Sequence, residues 1–177
     1  MSELSTILYY SKTTTVDLRM IMHIIGVTTP NTSFFLITAQ NGSVGFIASF
    51  VICVVSPGEV LNGRFYWIEP AETTIDPLNF ATAERAPDPV HSVRVVGDQF
   101  WLLGSNTTEV WYPTGDASAP FSKTQGRVFD RGIWAGTDCQ IKDSIMLVDN
   151  DGVVYQIVNG GPRRVSNNSI EERIRKA

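Results

Sequence analysis

Three stretches of the chain repeat the same order of elements about 45 residues apart. Each contains a strand, a turn, an aromatic strand and a loop with Gly or Pro; the aromatic strands contain Phe65-Tyr66-Trp67, Trp111 and Tyr155. A four-stranded propeller blade requires a repeat of roughly 40–50 residues. A single blade cannot bury both of its faces, so it needs neighbouring sheets. The repeat therefore predicts about three blades, which is a partial ring because closed propellers have roughly four to eight.

Short runs of β-branched and aromatic residues alternate with clusters of Gly, Asn, Asp and Pro from residue 34 onward. This pattern is typical of antiparallel strands. The spacers Gly97-Asp98 and Lys142-Asp143 predict tight hairpins, and a third is predicted at 149–152, where Gly152 suits a positive φ. The predicted strands are 34–38, 44–55 (one strand or a pair), 64–69, 92–96, 99–103, 108–112, 138–141, 144–148, 153–158 and 163–166, with a further edge strand beginning at Pro120-Phe121.

The two ends of the chain depart from the strand pattern. Residues 169–177 have helical spacing, with Ser169 as the predicted N-cap and Glu172 as its capping-box partner. Residues 12–26 predict a short helix, although their β-branched content is high. We therefore predict a divergent N-terminal segment at 1–33 and a propeller-like β domain at 34–177. The predicted fold class is mainly β, with antiparallel four-stranded repeats and a short C-terminal helix.

Residues 108–121 place bulky rings directly before a loop of turn formers. An interior strand of a blade is covered on both faces, which favours large side chains pointing both ways, here Val110, Trp111 and Tyr112. Pro113 removes a ladder donor and so is predicted to end the strand. The rings are therefore predicted to pack in the core. The loop at 115–121 is predicted to offer neutral and aromatic surface for subunit interfaces.

Composition limits the classes of function. The net charge of -4 argues against a protein whose main task is to coat phosphates. The most apolar run, 44–55, has 12 residues, whereas a bilayer-spanning helix needs about 20, so no membrane span is predicted. The N-terminal sequence lacks the features of a secretory signal, which predicts synthesis in a cytoplasm. Cys53 and Cys139 lie in no ligand pattern and are predicted to be buried thiols that pack as small apolar groups.

Motifs for catalysis or cofactor binding are not recognised in the sequence. His23 and His91 each lie outside any catalytic motif. The stretch 149–152, Asp-Asn-Asp-Gly, resembles the start of a calcium loop, but the carboxylate required twelve positions from the first is missing, which favours a hairpin turn. We predict no catalytic, cofactor-binding or metal-binding residues and no enzyme activity. A propeller glycosidase is a distant alternative, because carboxylates at a ring mouth cannot be recognised from sequence.

Basic residues concentrate in the last third of the chain. Acidic residues are interleaved with them, so the local net charge is small. This favours a solvated or interface face over phosphate contact, and it predicts at most weak, non-specific, salt-sensitive contact with DNA. The basic residues are Arg127, Arg131, Arg163, Arg164, Arg173, Arg175 and Lys176.

Three stretches in one order carry a resemblance to a known family. They are DPLNFATAERAPD at 76–88, QFWLLGSNTTEVWYPTGDASAPFSKTQGRVFDRGIWA at 99–135 and GVVYQIVNGGPRRVSNNSIEE at 152–172. With them the chain resembles the packaged-DNA stabilisation family, the tail hub proteins of P22-like podoviruses. The resemblance covers a little over half of the chain and is absent before about residue 60.

The resemblance implies a structural virion protein of the phage tail. Members of that family form rings of identical subunits below the portal, extend the DNA channel and hold the packaged genome in the head. The implied partners are further copies of the chain, the portal-adaptor protein, the tail needle and the tailspikes. Family members are several hundred residues long, so the resemblance also implies a shortened homologue, a fragment or a prophage remnant. The alternative function is an autonomous β-propeller-like module that recognises a glycan or a peptide at its loop face.

Overall fold

The computed structural model describes residues 22–29, 32–39, 42–55, 63–72, 76–83, 88–158 and 160–176. Within these ranges the chain forms fourteen β-strands and one α-helix. They are β1 (Met22–Thr29), β2 (Thr32–Ala39), β3 (Gly42–Ile47), β4 (Phe50–Val55), β5 (Arg64–Ile68), β6 (Phe80–Thr82), β7 (Val90–Val96), β8 (Gln99–Gly104), β9 (Thr108–Pro113), β10 (Phe121–Phe129), β11 (Cys139–Ile141), β12 (Ser144–Val148), β13 (Val154–Val158), β14 (Gly161–Arg164) and α1 (Asn168–Arg175).

Twelve of the described strands form three four-stranded antiparallel sheets. Consecutive strands are neighbours in each: β3 to β6 form the first sheet, β7 to β10 the second and β11 to β14 the third. β1 and β2 pair with each other in a separate two-stranded sheet. The predicted fold, mainly β with about three propeller-like four-stranded repeats and a short C-terminal helix, is confirmed.

The predicted tight turns are present. Gly97-Asp98 joins β7 to β8 and Lys142-Asp143 joins β11 to β12, each as a two-residue connection. The turn at 149–152 joins β12 to β13, and Gly152 adopts a φ of 74°, a conformation that glycine takes without steric cost. Turn chemistry is local, so these connections could be recognised without knowledge of the tertiary fold.

The apolar run 44–55 forms a pair of strands. β3 and β4 make an antiparallel hairpin around Ala48-Ser49, and both turn residues have a positive φ, of 49° and 71°. Two residues with side chains in this conformation carry a local cost, which the flanking ladder offsets. In the described part of the chain, no helix is long and apolar enough to cross a bilayer.

The second sheet lies between the other two and buries both of its faces. Phe100 and Trp111 pack in a core shared with the first sheet, whereas Trp101 and Val110 pack in a core shared with the third. Alternate residues of a strand point to opposite faces, so one apolar run supplies both cores. The prediction that Val110 and Trp111 are packed is confirmed. Tyr112 is 39% exposed, contrary to prediction, because it lies at the end of β9 outside the core shared with the third sheet.

The aromatic strands of the repeat are the third strands of the three sheets, but their rings point in different directions. Trp67 and Trp111 pack into the same core from opposite sides. Counted from the hairpin turns, the structural counterpart of Trp111 in the first sheet is Ile68, which pairs with Val51 on the face of that sheet that points away from the second. The repeat in space is therefore 43 residues from Ile68 to Trp111 and 46 from Trp111 to Ile157, its counterpart in the third sheet.

Two predictions at the ends of the chain are wrong. Residues 22–26 belong to β1 and pair with β2, rather than forming a helix; residues 12–21 lie outside the described residues. The ladder favours the β-branched residues that a helix disfavours. The N-cap of α1 is Asn167 rather than Ser169: its Oδ1 accepts from the Ile170 amide at 3.0 Å. Asn and Ser cap comparably well, so local preference did not distinguish them.

Candidate functional site

A series of polar side chains connects the first strands of the three sheets. We call it the inter-sheet network (Ser43, Ser92, Arg94 and Asp138). The hydroxyls of Ser43 and Ser92 lie 3.2 Å apart, and Ser92 donates to the Asp138 carboxylate at 2.6 Å. Arg94 Nε donates to the same carboxylate oxygen at 2.6 Å. The Asp138 side chain is 3% exposed and that of Arg94 is 32% exposed. The network therefore ties three sheets together through one buried carboxylate.

The sheets position the network through their first strands. Ser43 lies on β3, Ser92 and Arg94 lie on one face of β7, and Asp138 directly precedes β11. Ser43 also accepts from the Val93 amide at 3.1 Å, which fixes β3 against β7. The sequence-based search for motifs missed this network. Polar residues near the starts of successive repeat units, 49 and 46 residues apart, are the signal that could have revealed it.

Asp138→Asn is expected to lower the free energy of unfolding by about 1–3 kcal/mol, because the hydrogen bonds that Ser92 and Arg94 donate to a charged group are lost or weakened. The loss stays in this range because Arg94 keeps partial access to water. Urea denaturation measures the change. Asp143→Asn, in the exposed turn between β11 and β12, is the matched control and should change stability by less than about 0.5 kcal/mol. Equal stability of the two variants would show that the network does not hold the sheets together.

A second polar cluster holds the connection between β8 and β9. The buried Asp88 carboxylate accepts from the amides of Asn106 and Thr107 at 2.7 and 3.1 Å, and from the Thr107 hydroxyl at 3.0 Å. His91 Nε2 lies 2.7 Å from the Ser105 hydroxyl. Asn150, on the third sheet, donates to the Ser105 carbonyl at 2.5 Å. These contacts join the second and third sheets at one end.

His91 lies in this cluster as a structural residue. Its Nδ1 is buried, and the described residues supply it with no hydrogen-bond partner. Burial lowers the pKa of His91 below its usual value of 6.5, against the opposing effect of the Asp88 and Asp138 carboxylates. Since the protonated ring would bury a donor without an acceptor, the folded protein favours neutral His91.

The lowered pKa of His91 predicts acid destabilisation. A folded-state pKa below the unfolded value means that the stabilisation is complete above about pH 6.5 and is lost as the pH falls from 6.5 toward the folded-state pKa. Urea midpoints between pH 8 and pH 5 should therefore fall more steeply for the unmodified chain than for His91→Gln. Both proteins keep His23, so the difference isolates His91. Identical slopes would contradict the assignment.

The stretch 149–152 forms a hairpin turn held by its own carboxylate. Asp149 Oδ1 accepts from the amides of Asp151 and Val153 at 3.0 and 2.9 Å. Arg131 donates to Asp149 Oδ2 at 3.3 Å. Across the described residues, no group of three or more His, Cys, Asp or Glu side chains is placed to hold a metal ion.

Most of the basic residues in the last third of the chain have hydrogen-bond acceptors within the chain. Arg164 donates to both carboxylate oxygens of Glu171, at 2.8 Å each, and Ser166 donates to the same carboxylate at 2.6 Å. These hydrogen bonds, that of Ser166 first, lower the pKa of Glu171. The other partnered cations are Arg127 with Gln99, Arg131 with Asp149 and Asp151, Arg175 with the Asp151 carbonyl, and Lys176 with Glu172. Three of these cations, Arg131, Arg164 and Lys176, are in ion pairs, which agrees with a solvated or interface face.

The loop at 115–121 is exposed over most of its length. Asp116 accepts from the Ser118 amide and hydroxyl, both at 2.8 Å, which also lowers the pKa of Asp116. Thr114 donates through its hydroxyl to the Ala119 carbonyl at 2.6 Å. The loop therefore has a defined shape. Phe121 does not supply the predicted aromatic surface, because its ring is buried in the core between the first and second sheets.

The two cysteines have opposite environments. Cys53 is buried in the first sheet, and burial raises the pKa of its thiol to about 12, as expected for a packed thiol. Cys139 is exposed, contrary to prediction. It lies on β11, an edge strand of the third sheet, and its side chain is on the face that the second sheet does not cover. Both thiols are free.

The chain matches one family model and is similar to several solved structures. The model of the family described as "Bacteriophage P22 Gp10, beta-propeller" matches residues 69–177, more than half of the chain. No curated protein matches the chain in sequence. Among solved structures, "Kluyveromyces lactis Hsv2 complete loop 6CD" has a TM-score of 0.43 and 12% identity, with 97% of this chain and 51% of that chain covered. "Structure of Kluyveromyces lactis Hsv2p" has a TM-score of 0.43 and 13% identity, with 97% and 53% covered.

This chain thus spans about half the length of those two structures. The family match, in contrast, runs from the end of the first sheet through the second and third sheets and α1. Its residues include Asp88, Asp138 and the buried faces of both matched sheets. The chain belongs to the bacteriophage P22 Gp10 β-propeller family.

Proposed function

We propose that this chain is a subunit of a phage tail hub that extends the portal channel and keeps packaged DNA in the head. Family membership carries the proposal: it indicates a structural protein of the virion that stabilises packaged DNA. What we propose beyond family membership is that the chain forms part of a channel below the portal.

The architecture supports a structural role. The two apolar cores between sheets and the inter-sheet network make a stack in which each sheet stabilises its neighbour. Such a stack resists local unfolding better than a single sheet does. The ion pairs of Arg131, Arg164 and Lys176 within the chain suit a conduit, because each phosphate neutralised by the protein would add affinity and hinder DNA exit. Contact with DNA in this role is weak, non-specific and salt-sensitive.

The proposed partners are the other components of the tail. Copies of the chain form a ring, with the portal-adaptor protein on one side and the tail needle and tailspikes around it. The loop at 115–121 is the proposed contact surface, because residues 115–119 are exposed, Asp116 is its one charged residue, and Asp116 and Thr114 hold it in one shape. The chain is made in the host cytoplasm and then joins the virion tail.

A DNA-retention experiment tests the proposed function. DNA-filled phage heads that lack their own stabilisation protein are mixed with the purified chain, and release of DNA is followed with nuclease and a DNA-binding dye. The proposal expects slower release, saturating at a fixed ratio of chain to portal. Ala117→Arg, in the exposed loop, should weaken the effect, whereas Asp143→Arg, in an exposed turn outside the loop, should not.

The alternative function, an autonomous binding module, leads to a different expected result. It requires saturable binding of a glycan or a peptide, measured on arrays, together with DNA release that the chain leaves unchanged. That combination would overturn the tail-hub proposal. Turnover of a chromogenic glycoside would in turn favour a glycosidase.

A further inference from the structure

His91 occupies a bulge at the start of β7. Val90 and Ser92 pair with two consecutive residues of β8, so His91 is an extra residue between them. A bulge of this kind redirects a side chain and interrupts the local ladder. The ring of His91 reaches the Ser105 hydroxyl, which lies 2.7 Å from Nε2. The ladder between β7 and β8 is therefore interrupted at the residue that contacts Ser105.

The third sheet is joined to the second at this point. The Ser105 carbonyl accepts from the Asn150 side chain, in the turn between β12 and β13, at 2.5 Å. The neighbouring Gly104 carbonyl accepts from the Ile133 amide, in the connection to the third sheet, at 2.9 Å. We call this set of contacts the His91 joint (His91, Gly104, Ser105, Ile133 and Asn150). A single imidazole thus lies directly behind the backbone that holds two sheets together.

The joint accommodates one proton on the imidazole ring. Nδ1 of His91 is buried, and it has no hydrogen-bond partner among the described residues. A buried N–H without an acceptor is costly, so the neutral ring carries its proton on Nε2 and donates it to the Ser105 hydroxyl. A second proton would have to bind at Nδ1. Water can solvate that proton only if the joint separates.

The charged groups around His91 do not compensate for a second proton. The carboxylates of Asp88 and Asp138 favour the protonated ring through space, but burial outweighs them and lowers the pKa of His91. Each carboxylate is already bound by other donors: Asp88 by amides of the connection between β8 and β9, and Asp138 by the inter-sheet network. Arg131 and Asp149, the charged residues of the adjacent loops, are paired with each other at 3.3 Å.

We propose that protonation of His91 separates the third sheet from the second at this joint, while the first and second sheets stay packed. The core between the first and second sheets is built from apolar side chains, Phe65 and Phe100 among them, and includes no histidine among the described residues. Mild acid therefore acts on one contact between sheets and leaves the other intact, which is local opening rather than global unfolding. The opening is a property of the chain itself and does not depend on the tail role.

Hydrogen exchange of the purified 177-residue chain, measured by NMR at pH 7.5 and pH 5.5, tests the opening. Protection factors correct for the pH dependence of intrinsic exchange. The protection factor of the Ile133 amide should fall at pH 5.5, by up to about tenfold, which is the limit for one proton with a pKa of about 6.5 in the open state. The Trp67 amide, which donates to the Asn79 carbonyl in the first sheet at 3.1 Å, should keep its protection within about twofold.

Two variants assign the effect to one ring. His91→Gln removes the titrating group, so the Ile133 amide should be equally protected at both pH values. His23→Gln removes the other histidine of the chain and should leave the pH dependence unchanged. In the unmodified chain, the nitrogen chemical shifts of His91 report its tautomer and its protonation, which supplies a measurement that does not require the variant to fold.

The proposal expects protonation of His91 and loss of protection at Ile133 to occur over the same pH range. Unchanged protection at Ile133 while His91 titrates would overturn it, because the joint would then accept the second proton without opening. A parallel loss at Ile133 and Trp67 would also overturn it, since the chain would be unfolding as a whole. So would a pH-dependent loss at Ile133 that persists in His91→Gln.

Discussion

Phe65→Ala is expected to lower the free energy of unfolding by about 3–5 kcal/mol. Phe65 lies on β5 with 0% exposure, in the core between the first and second sheets. Its ring centroid is 5.1 Å from that of Trp111 and 5.5 Å from that of Phe100, both in edge-to-face geometry. Truncation removes the buried area and leaves a cavity that rigid aromatic neighbours cannot fill.

Urea denaturation followed by tryptophan fluorescence measures this effect. Phe46→Ala is the control, because Phe46 has the same side chain on the same sheet but is 66% exposed. It should change stability by less than about 0.5 kcal/mol. Similar losses from the two substitutions would mean that the first sheet does not pack on the second as described.

Gly132→Ala is expected to cost about 3 kcal/mol, the upper end for overpacking. A Cβ at Gly132 would overlap the backbone carbonyl of Ser105 and the amide of Asn106. Backbone atoms cannot move aside as the end of a flexible side chain can, and Asp88 already fixes this loop. The substitution should therefore separate the connection after β10 from the loop between β8 and β9.

Gly161→Ala is the matched control for Gly132→Ala. A Cβ at Gly161 would meet Phe129 Cε1 at 3.9 Å, an ordinary van der Waals contact. Its thermal midpoint should therefore stay within a few degrees of that of the unmodified chain, whereas that of Gly132→Ala should drop by roughly 5–10 °C or more. Equal midpoints would contradict the close approach at Ser105.

The elements that sequence predicts best are those whose cause is local. The two-residue turns at Gly97-Asp98 and Lys142-Asp143 are present, because turn residues act through their own backbone preferences. Strand β6 (Phe80–Thr82) could not be predicted, because three residues contain too little alternation and pair only when β5 is beside them. The helix predicted at 12–26 failed over residues 22–26 for the same reason: pairing with β2 decides their conformation.

The inter-sheet network shows the same division between local and tertiary causes. Ser92 and Arg94 have the spacing of one strand face, which sequence can reveal. The approach of Asp138 to within 2.6 Å of both side chains depends on how the third sheet lies against the second. No local preference encodes a contact between residues that far apart along the chain.

By itself, the sequence determined the number of repeats, their strand composition, most turns and, through its resemblance, the family. Only the tertiary structure decided which way each side chain points. Strand residues alternate with a period of two, so an offset of one residue reverses the face. Trp67 and Trp111, 44 residues apart, consequently meet in one core instead of occupying equivalent places, and Cys139 faces outward while Cys53 is buried.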